Sequence, residues 1–387
     1  MGGNAFNSAG SNGQSSIAIS RLSPAEYRQL KAHVRDVLHQ FFQQVQSPAE
    51  APEKADYGDL DFLVQTPLPS YRPDALESSL SAKAARTSGP VTNFAVPLQA
   101  EDSTHLLAQV DVHICHDGNI DWLTFHHAYG DIWQILGTII RRYGLTANDK
   151  GLFVRIQEGE DRDWQKSMIF LTQDPQAVLA FLGLNWTTYD AGFTTLAATF
   201  HWLAQCRLLD PSAFKEAATE HRQRNIRTRP MFRRFIEDFI PTLPEPEPSS
   251  LPSRNDILHQ ALDTFNKQDE YDRKLTAILA ENREIKATSL LVETLKPQGE
   301  EMSKNLSKNI NLVVRAVKRW AYLSEEDKGL RLRAGPEMDV ARQMKLRDLL
   351  DGEGGMDGRD RAWVKERFEE LKGLEKQRVK EAKEARK

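Results

Sequence analysis

Two aspartates occupy alternate positions at the entry to an apolar run, Gly58-Asp59-Leu60-Asp61-Phe62-Leu63-Val64. A third lies inside a second apolar stretch, Leu106-Leu107-Ala108-Gln109-Val110-Asp111-Val112-His113-Ile114-Cys115. Side chains at i and i+2 of a strand point to the same face, so Asp59 and Asp61 project together. If the second strand pairs beside the first, Asp111 joins them. Aspartate is a poor strand former, and its place between Val110 and Val112 asks for a functional reason. Three convergent carboxylates repel one another unless a cation neutralises them, and their hard oxygens suit Mg²⁺ or Mn²⁺. A two-metal phosphoryl- or nucleotidyl-transfer site needs such a set. Asp-x-Asp alone is a common pair, and a surface turn or a solvated strand face is the plain alternative for these residues.

The rest of the chain sets these strands among helices. Ser23 with Glu26 forms a capping box and Pro24 occupies the first helical position. Tyr27, Leu30, Val34, Leu38, Phe41 and Val45 continue at helical spacing and predict one buried face. Residues 46–56 read as a loop, and Pro67 to Gly89 as a long polar connection with a helical portion after Pro73. Segments 91–98 and 104–115 predict two strands joined around Glu101-Asp102-Ser103. Residues 120–143 predict a helix, and 151–156 with 167–171 a strand pair across a charged loop. Helices are then expected over 174–182, 194–205 and 211–240. Five prolines between Pro241 and Pro252 mark a linker. Beyond it the chain reads as almost wholly helical and strongly charged, broken by Gly352-Glu353-Gly354-Gly355.

The 387 residues allow two or three domains. No leading apolar run of signal-peptide type and no apolar stretch of about 18 residues is present, so a place in the cytoplasm or nucleus, away from membranes, is expected. Cys115 and Cys206 are too few for a disulfide framework or a cysteine zinc site. The net charge of −4 hides an asymmetry. Residues 1–221 hold 16 Lys and Arg against 25 Asp and Glu, a net of −9, and residues 222–234 hold six arginines and no acid. Arg222, Arg224, Arg227, Arg229, Arg233 and Arg234, with Phe232 among them and Phe235 next to the last, are the best candidates for nucleic-acid contact. Phe232, Phe235 and Phe239 also recur at helical spacing, the pattern of a buried face with solvated arginines opposite.

Gly58-Asp59-Leu60-Asp61 before an apolar strand, followed by Val110-Asp111-Val112, resembles the polymerase-β-like nucleotidyltransferase superfamily. The resemblance covers roughly residues 1–185 and is nearest to poorly described members that open with Gly-Gly-x-Ala-Phe, as Gly2-Gly3-Asn4-Ala5-Phe6 does. It implies a small mixed-sheet nucleotidyltransferase-like domain over 1–172, which with the helical regions read from the rest of the chain makes an α+β or α/β fold class. Those regions are a helical region over 173–240, a proline-rich linker over 241–254 and a charged helical region over 255–387. It also implies transfer of a nucleoside monophosphate from an NTP to a hydroxyl on RNA, protein or a small molecule. Asp59, Asp61 and Asp111 would hold Mg²⁺ or Mn²⁺, and Asp111 would help the acceptor lose its proton. Gly2, Gly3, Ser47 and Lys54 are the positions assigned to the nucleotide, Lys54 as a point charge on phosphate.

The sequence departs from the family in one place. Most members carry Gly-Gly or Gly-Ser about ten residues before the first aspartate, whereas here the loop reads Val45-Gln46-Ser47-Pro48-Ala49-Glu50, and Gly2-Gly3 lies more than fifty residues away. Three readings follow: an active transferase; a member that binds nucleotide or RNA without chemistry; and an interaction protein whose C-terminal helices dock a partner. His113 and His116 are weighed as accessory ligands or proton relays against strand-end packing. His126-His127 is read as packing within a helix.

Overall fold

The computed structural model describes residues 3–6, 16–98, 106–115, 118–214, 220–244, 251–296, 304–340, 342–350 and 356–385, with only the backbone at His221. Gly2, His116, the 101–103 turn and the 352–355 glycines lie outside them. The chain divides into two units, residues 1–268 and 269–387.

The first unit is built on a mixed sheet. Helix α1 (Pro24–Leu38) begins with the expected capping box, in which Ser23 and Glu26 satisfy one another's backbone N–H groups. Strands β1 (Phe42–Gln46), β2 (Asp59–Pro67), β3 (Ala84–Ser88), β4 (Val91–Pro97) and β5 (Leu107–Ile114) lie in the order β1-β2-β5-β4-β3. Only β2 and β5 run parallel; the other neighbours are antiparallel. The alternation of β2 and β5 sorts their side chains as expected. Leu60, Phe62, Val64, Val110 and Val112 are almost wholly buried under α1 and α2 (Pro73–Ser79), with Tyr27, Leu30, Val34 and Leu38 facing them. The opposite face carries the aspartates. It is covered farther along at Leu63 by Ile120 and Leu123 of α3 (Ile120–His127).

Several elements differ from the sequence expectation. The α1 face stops at Leu38, because Phe42 to Gln46 pairs with β2 as an edge strand; Phe41 and Val45 continue the helical spacing only by coincidence. The 120–143 helix is two helices, α3 and α4 (Ile132–Arg141). Tyr129 and Gly130 adopt positive φ of 55° and 67° between them, and no helix continues through that conformation. Strand β3 arises in the segment read as a connection, where β4 offers it a free edge.

A second antiparallel sheet contains β6 (Leu145–Asn148), β7 (Gly151–Arg155) and β8 (Met168–Thr172), the last two being the expected pair. Between them lie the helical turns α5 (Gln157–Glu160) and α6 (Trp164–Ser167). Then follow α7 (Pro175–Phe181), α8 (Trp186–Ala191) and α9 (Leu196–Leu203), capped by Asp174, Asn185 and Thr195. The 211–240 segment is not one helix, since Pro230 restarts it: α10 (Glu220–Thr228) and α11 (Pro230–Arg234) lead into a π-helical turn over Phe235–Phe239. The unit closes beyond the prolines, not at them. Helix α12 (Arg254–Thr264) is tied back by the Arg254–Glu160 ion pair, Arg207 to Gln260 at 2.8 Å, and Phe265 against Phe181.

The second unit contains α13 (Gln268–Leu295), α14 (Lys304–Trp320), α15 (Gly358–Glu366) and α16 (Phe368–Glu384) around a core of Leu291, Ile310, Val313, Val317, Leu346 and Leu371. It is not wholly helical: β9 (Ala321–Leu323) and β10 (Leu330–Leu332) form a small antiparallel pair. Glu375 is fully buried between Arg319 and Arg378, as a buried carboxylate requires. No described helix in either unit is long and apolar enough to cross a membrane.

Candidate metal centre

The parallel register of β2 and β5 places Asp61 directly opposite Asp111, with Asp59 opposite Gln109. Asp59 precedes Asp61 by two residues, so all three carboxylates share one face. Oxygens of the three lie within 4.8 Å of one another. Asn93, opposite Asp111 on β4, donates its Nδ2 to Asp111 Oδ1 at 2.6 Å. Gln109 Nε2 approaches both oxygens of Asp111, at 2.9 and 3.0 Å. These two amides hold the carboxylate still.

The protein packed around Asp61 pushes its carboxyl up to about 7 from an ordinary 3.8, and the charges of Asp59, Asp111 and Glu50 add to that. Burial pushes Asp111 up to about 6, against the opposing hydrogen bonds from Asn93 and Gln109. Asp61 is nevertheless exposed by area. Its carboxyl is crowded by protein yet reached by water, so an ion has a way in. Close carboxylates that resist joint ionisation, all with hard oxygen donors, fit a divalent cation such as Mg²⁺ or Mn²⁺. A bound ion must displace the protons these carboxyls hold. Mn²⁺ affinity is therefore expected to rise about tenfold per pH unit between about 6 and 7, more steeply below, and to level off above. Calorimetric titration across that range checks this, and a pH-independent affinity would remove the carboxyls from the ion's coordination.

The N-terminal segment returns to this site from across the sequence. Gly3 N–H donates to Asp59 Oδ2 at 3.1 Å, and Ala5 N–H donates to Gln109 Oε1 at 2.9 Å. Gln109 thus links the segment to Asp111. Phe6 is completely buried, the Arg86 guanidinium lies 5.0 Å from its ring centroid, and Arg86 donates to Ala5 O at 2.7 Å. Gly3 has φ +79°, and a Cβ there would come 2.4 Å from Gly58 O. Only glycine fits where these two glycines cross. Sequence reasoning listed Gly3 from the resemblance but had no local signal for Asn93, Gln109 or Arg86.

Ser47 lies in a cleft of about 520 Å³ whose aromatic wall is Phe125, Tyr129, Trp186 and Tyr189. The wall is cross-linked: Tyr189 O–H donates to Phe125 O at 2.8 Å and Tyr129 O–H to Tyr189 O at 3.0 Å. The loop from Ser47 leads to Glu50, whose charge reaches Asp61. Lys54 Nζ pairs with Glu50 Oε2 at 2.5 Å and lies 5.0 Å from the Tyr57 ring centroid. Glu50 also accepts from Tyr27 O–H at 2.8 Å. A cation that sequence reasoning missed is Lys31, 3.4 Å from the Tyr27 hydroxyl. Burial lowers its pKa, and the charges of Glu50 and Asp61 oppose that shift.

The remaining candidates lie elsewhere. His113 is not among the described residues that converge on a shared ion position. Phe232 and Phe235 are fully buried, as their helical spacing implied, so they offer no surface for base stacking. Arg229 is held by Asp131 at 2.8 Å and Arg222 donates to Ala213 O at 3.2 Å, whereas Arg224, Arg227, Arg233 and Arg234 are exposed. Both cysteines are buried and unbonded to one another, and burial pushes both thiols up to about 11. No protein-family model and no curated protein matches the chain.

Proposed function

We propose that the first unit is a metal-dependent nucleotidyltransferase that moves a nucleoside monophosphate from an NTP to a hydroxyl acceptor. The observation that supports it most is the convergence of Asp59, Asp61 and Asp111 on one sheet face, with two of the carboxyls pushed toward neutrality. Asp59 and Asp61 would hold both metals, and Asp111 one of them. When bound, divalent cations neutralise these carboxylates and stabilise charge on the entering and leaving oxygens of the transfer.

The protein's own groups divide the remaining work. The aromatic cleft beside Ser47 suits a nucleoside, with Asp121 and Asp190 as acceptors for its hydroxyl or amino groups. Gly3 N–H orients Asp59, while Asn93 and Gln109 orient Asp111. Asp111, held by Asn93 and Gln109, would be the carboxylate that takes the acceptor's proton. The acceptor oxygen then bonds to the α-phosphorus as the bond to the bridging oxygen breaks, and pyrophosphate leaves. Lys31 is placed to offset negative charge near Asp61.

A second reading, nucleotide or RNA binding without chemistry, draws on Lys54 being tied to Glu50 and on residues 45–50 having no glycine to wrap a triphosphate. Pyrophosphate release from each NTP with Mg²⁺ or Mn²⁺, with RNA offered as acceptor, separates the two. The native chain is expected to release pyrophosphate and the Asp59→Ala/Asp61→Ala double variant is not. NTP binding without release would favour the second reading, and neither would overturn both.

A further inference from the structure

A second convergence of ligating atoms lies outside the aspartate triad. His126 and His127 end α3, and the turn between β6 and β7 carries Asp149. His126 Nδ1 lies 3.4 Å and His127 Nε2 3.1 Å from the same oxygen, Asp149 Oδ1. The three donor atoms all fall within 4.8 Å of one another. Around a tetrahedral ion with bonds of about 2.0–2.1 Å, neighbouring donors stand about 3.3 Å apart, and the two measured separations straddle that figure. A plain His–Asp hydrogen bond accounts for His127, but His126 Nδ1 also lies against that oxygen, so two imidazole nitrogens converge on one carboxylate oxygen.

The parts are held in place by the fold. Trp122 is buried, stacks on the His126 ring at 5.7 Å, and donates its Nε1–H to Asn148 O at 2.8 Å, beside Asp149. Trp133 flanks the same ring at 5.3 Å. Asn119 Nδ2 donates to Asp149 O at 3.2 Å, joining the start of α3 to the turn. Helix and turn are thus locked around the three donors, as a metal site's outer partners must be. On the solvent side, the His127 and Asp149 side chains keep 37% and 63% of their surface, so a further coordination position would be open.

We propose that His126, His127 and Asp149 form a binding site for a Zn²⁺-class transition-metal ion, separate from the aspartate triad. Two imidazoles and one carboxylate suit zinc or cobalt, whereas the all-oxygen triad suits magnesium or manganese. Three protein donors with an open position are the arrangement of a site that takes water or an anionic ligand.

Co²⁺ titration of the full chain, followed by its visible ligand-field absorption, tests this. An Asp59→Ala/Asp61→Ala background silences the triad, so the result does not depend on nucleotidyl transfer. One Co²⁺ per chain is expected, displaceable by Zn²⁺. His127→Asn and Asp149→Asn, both at exposed positions, are expected to weaken it by at least about 100-fold, and Lys150→Ala to leave it unchanged. Circular dichroism checks that each variant is folded. Absence of Co²⁺ and Zn²⁺ binding in the triad-silenced chain, or binding that survives the His127→Asn/Asp149→Asn pair, would overturn the site.

Discussion

Replacing Asp61 with asparagine should abolish transfer while making the metal-free protein harder to unfold. The loss of transfer is expected to reach at least about 10³-fold, or roughly 4 kcal/mol of barrier, because Asp61, a proposed metal ligand, stands opposite Asp111 and two residues from Asp59. The gain in stability follows from the same charges. A carboxyl raised from 3.8 to about 7 by folding contributes stability that is fully present below about pH 4 and is lost as pH rises through about 7. At pH 8 the native carboxylate is ionised in crowded surroundings and against Asp59, Asp111 and Glu50; asparagine removes both the burial of charge and the repulsion. Water reaches Asp61, so the effect is discounted to about 1 kcal/mol, a rise of about 2–4 °C in melting temperature. At pH 4 the two proteins should melt together. Saturating Mn²⁺ should reverse the order at pH 8, since only the native chain is stabilised by it. If the variant lost stability at pH 8 as well as activity, Asp61 would be a structural partner and the repulsive triad would be wrong.

The triad was legible because strand alternation is a short-range rule. Asp59, Asp61 and Asp111 each interrupt an apolar alternation whose other members, Leu60, Phe62, Val110 and Val112, had to face a core. Only the pairing of β2 with β5 lay beyond the local pattern. Ser23 and Glu26 were legible for the same reason, as a cap closes within one helical turn. What could not be read was decided across long separations. Phe41 and Val45 keep the phase of α1, and only the availability of β2 as a partner turns Phe42–Gln46 into a strand. His126 and His127 resemble packing residues until Asp149 is brought against them by a hairpin more than twenty residues later. Lys54 has the right charge for a phosphate, but Glu50, four residues earlier in the same loop, pairs with it. The prolines before Pro252 looked like a boundary, yet Arg254 on α12 reaches back to Glu160, and the first unit runs on to Gln268.

The return of the N-terminal segment leads to the other large effect, expected at Gly3. Alanine there would meet Gly58 O at 2.4 Å from backbone that cannot yield without moving Asp59, and would hold φ +79° at a further cost. The cheaper response is for the segment to lift away, taking its N–H from Asp59 Oδ2 and the Ala5 N–H from Gln109. Displacing an orienting donor at a site of developing charge costs about 10²-fold in rate, and Gly3→Ala should lose transfer on that scale. Phe6→Ala separates anchoring from donation. If the segment stayed, emptying a fully buried phenylalanine site would cost about 3–5 kcal/mol of stability. If the segment lifts, the stability loss falls below that, and the rate falls as it does for Gly3→Ala. The second pattern is expected, with kcat lowered more than KM is raised, since Gly3 touches a carboxylate proposed to hold metal and not the aromatic cleft. Native rates in both variants would mean that Gly3 and Phe6 merely cover the sheet, and that the Asp59 geometry is set by β2 alone.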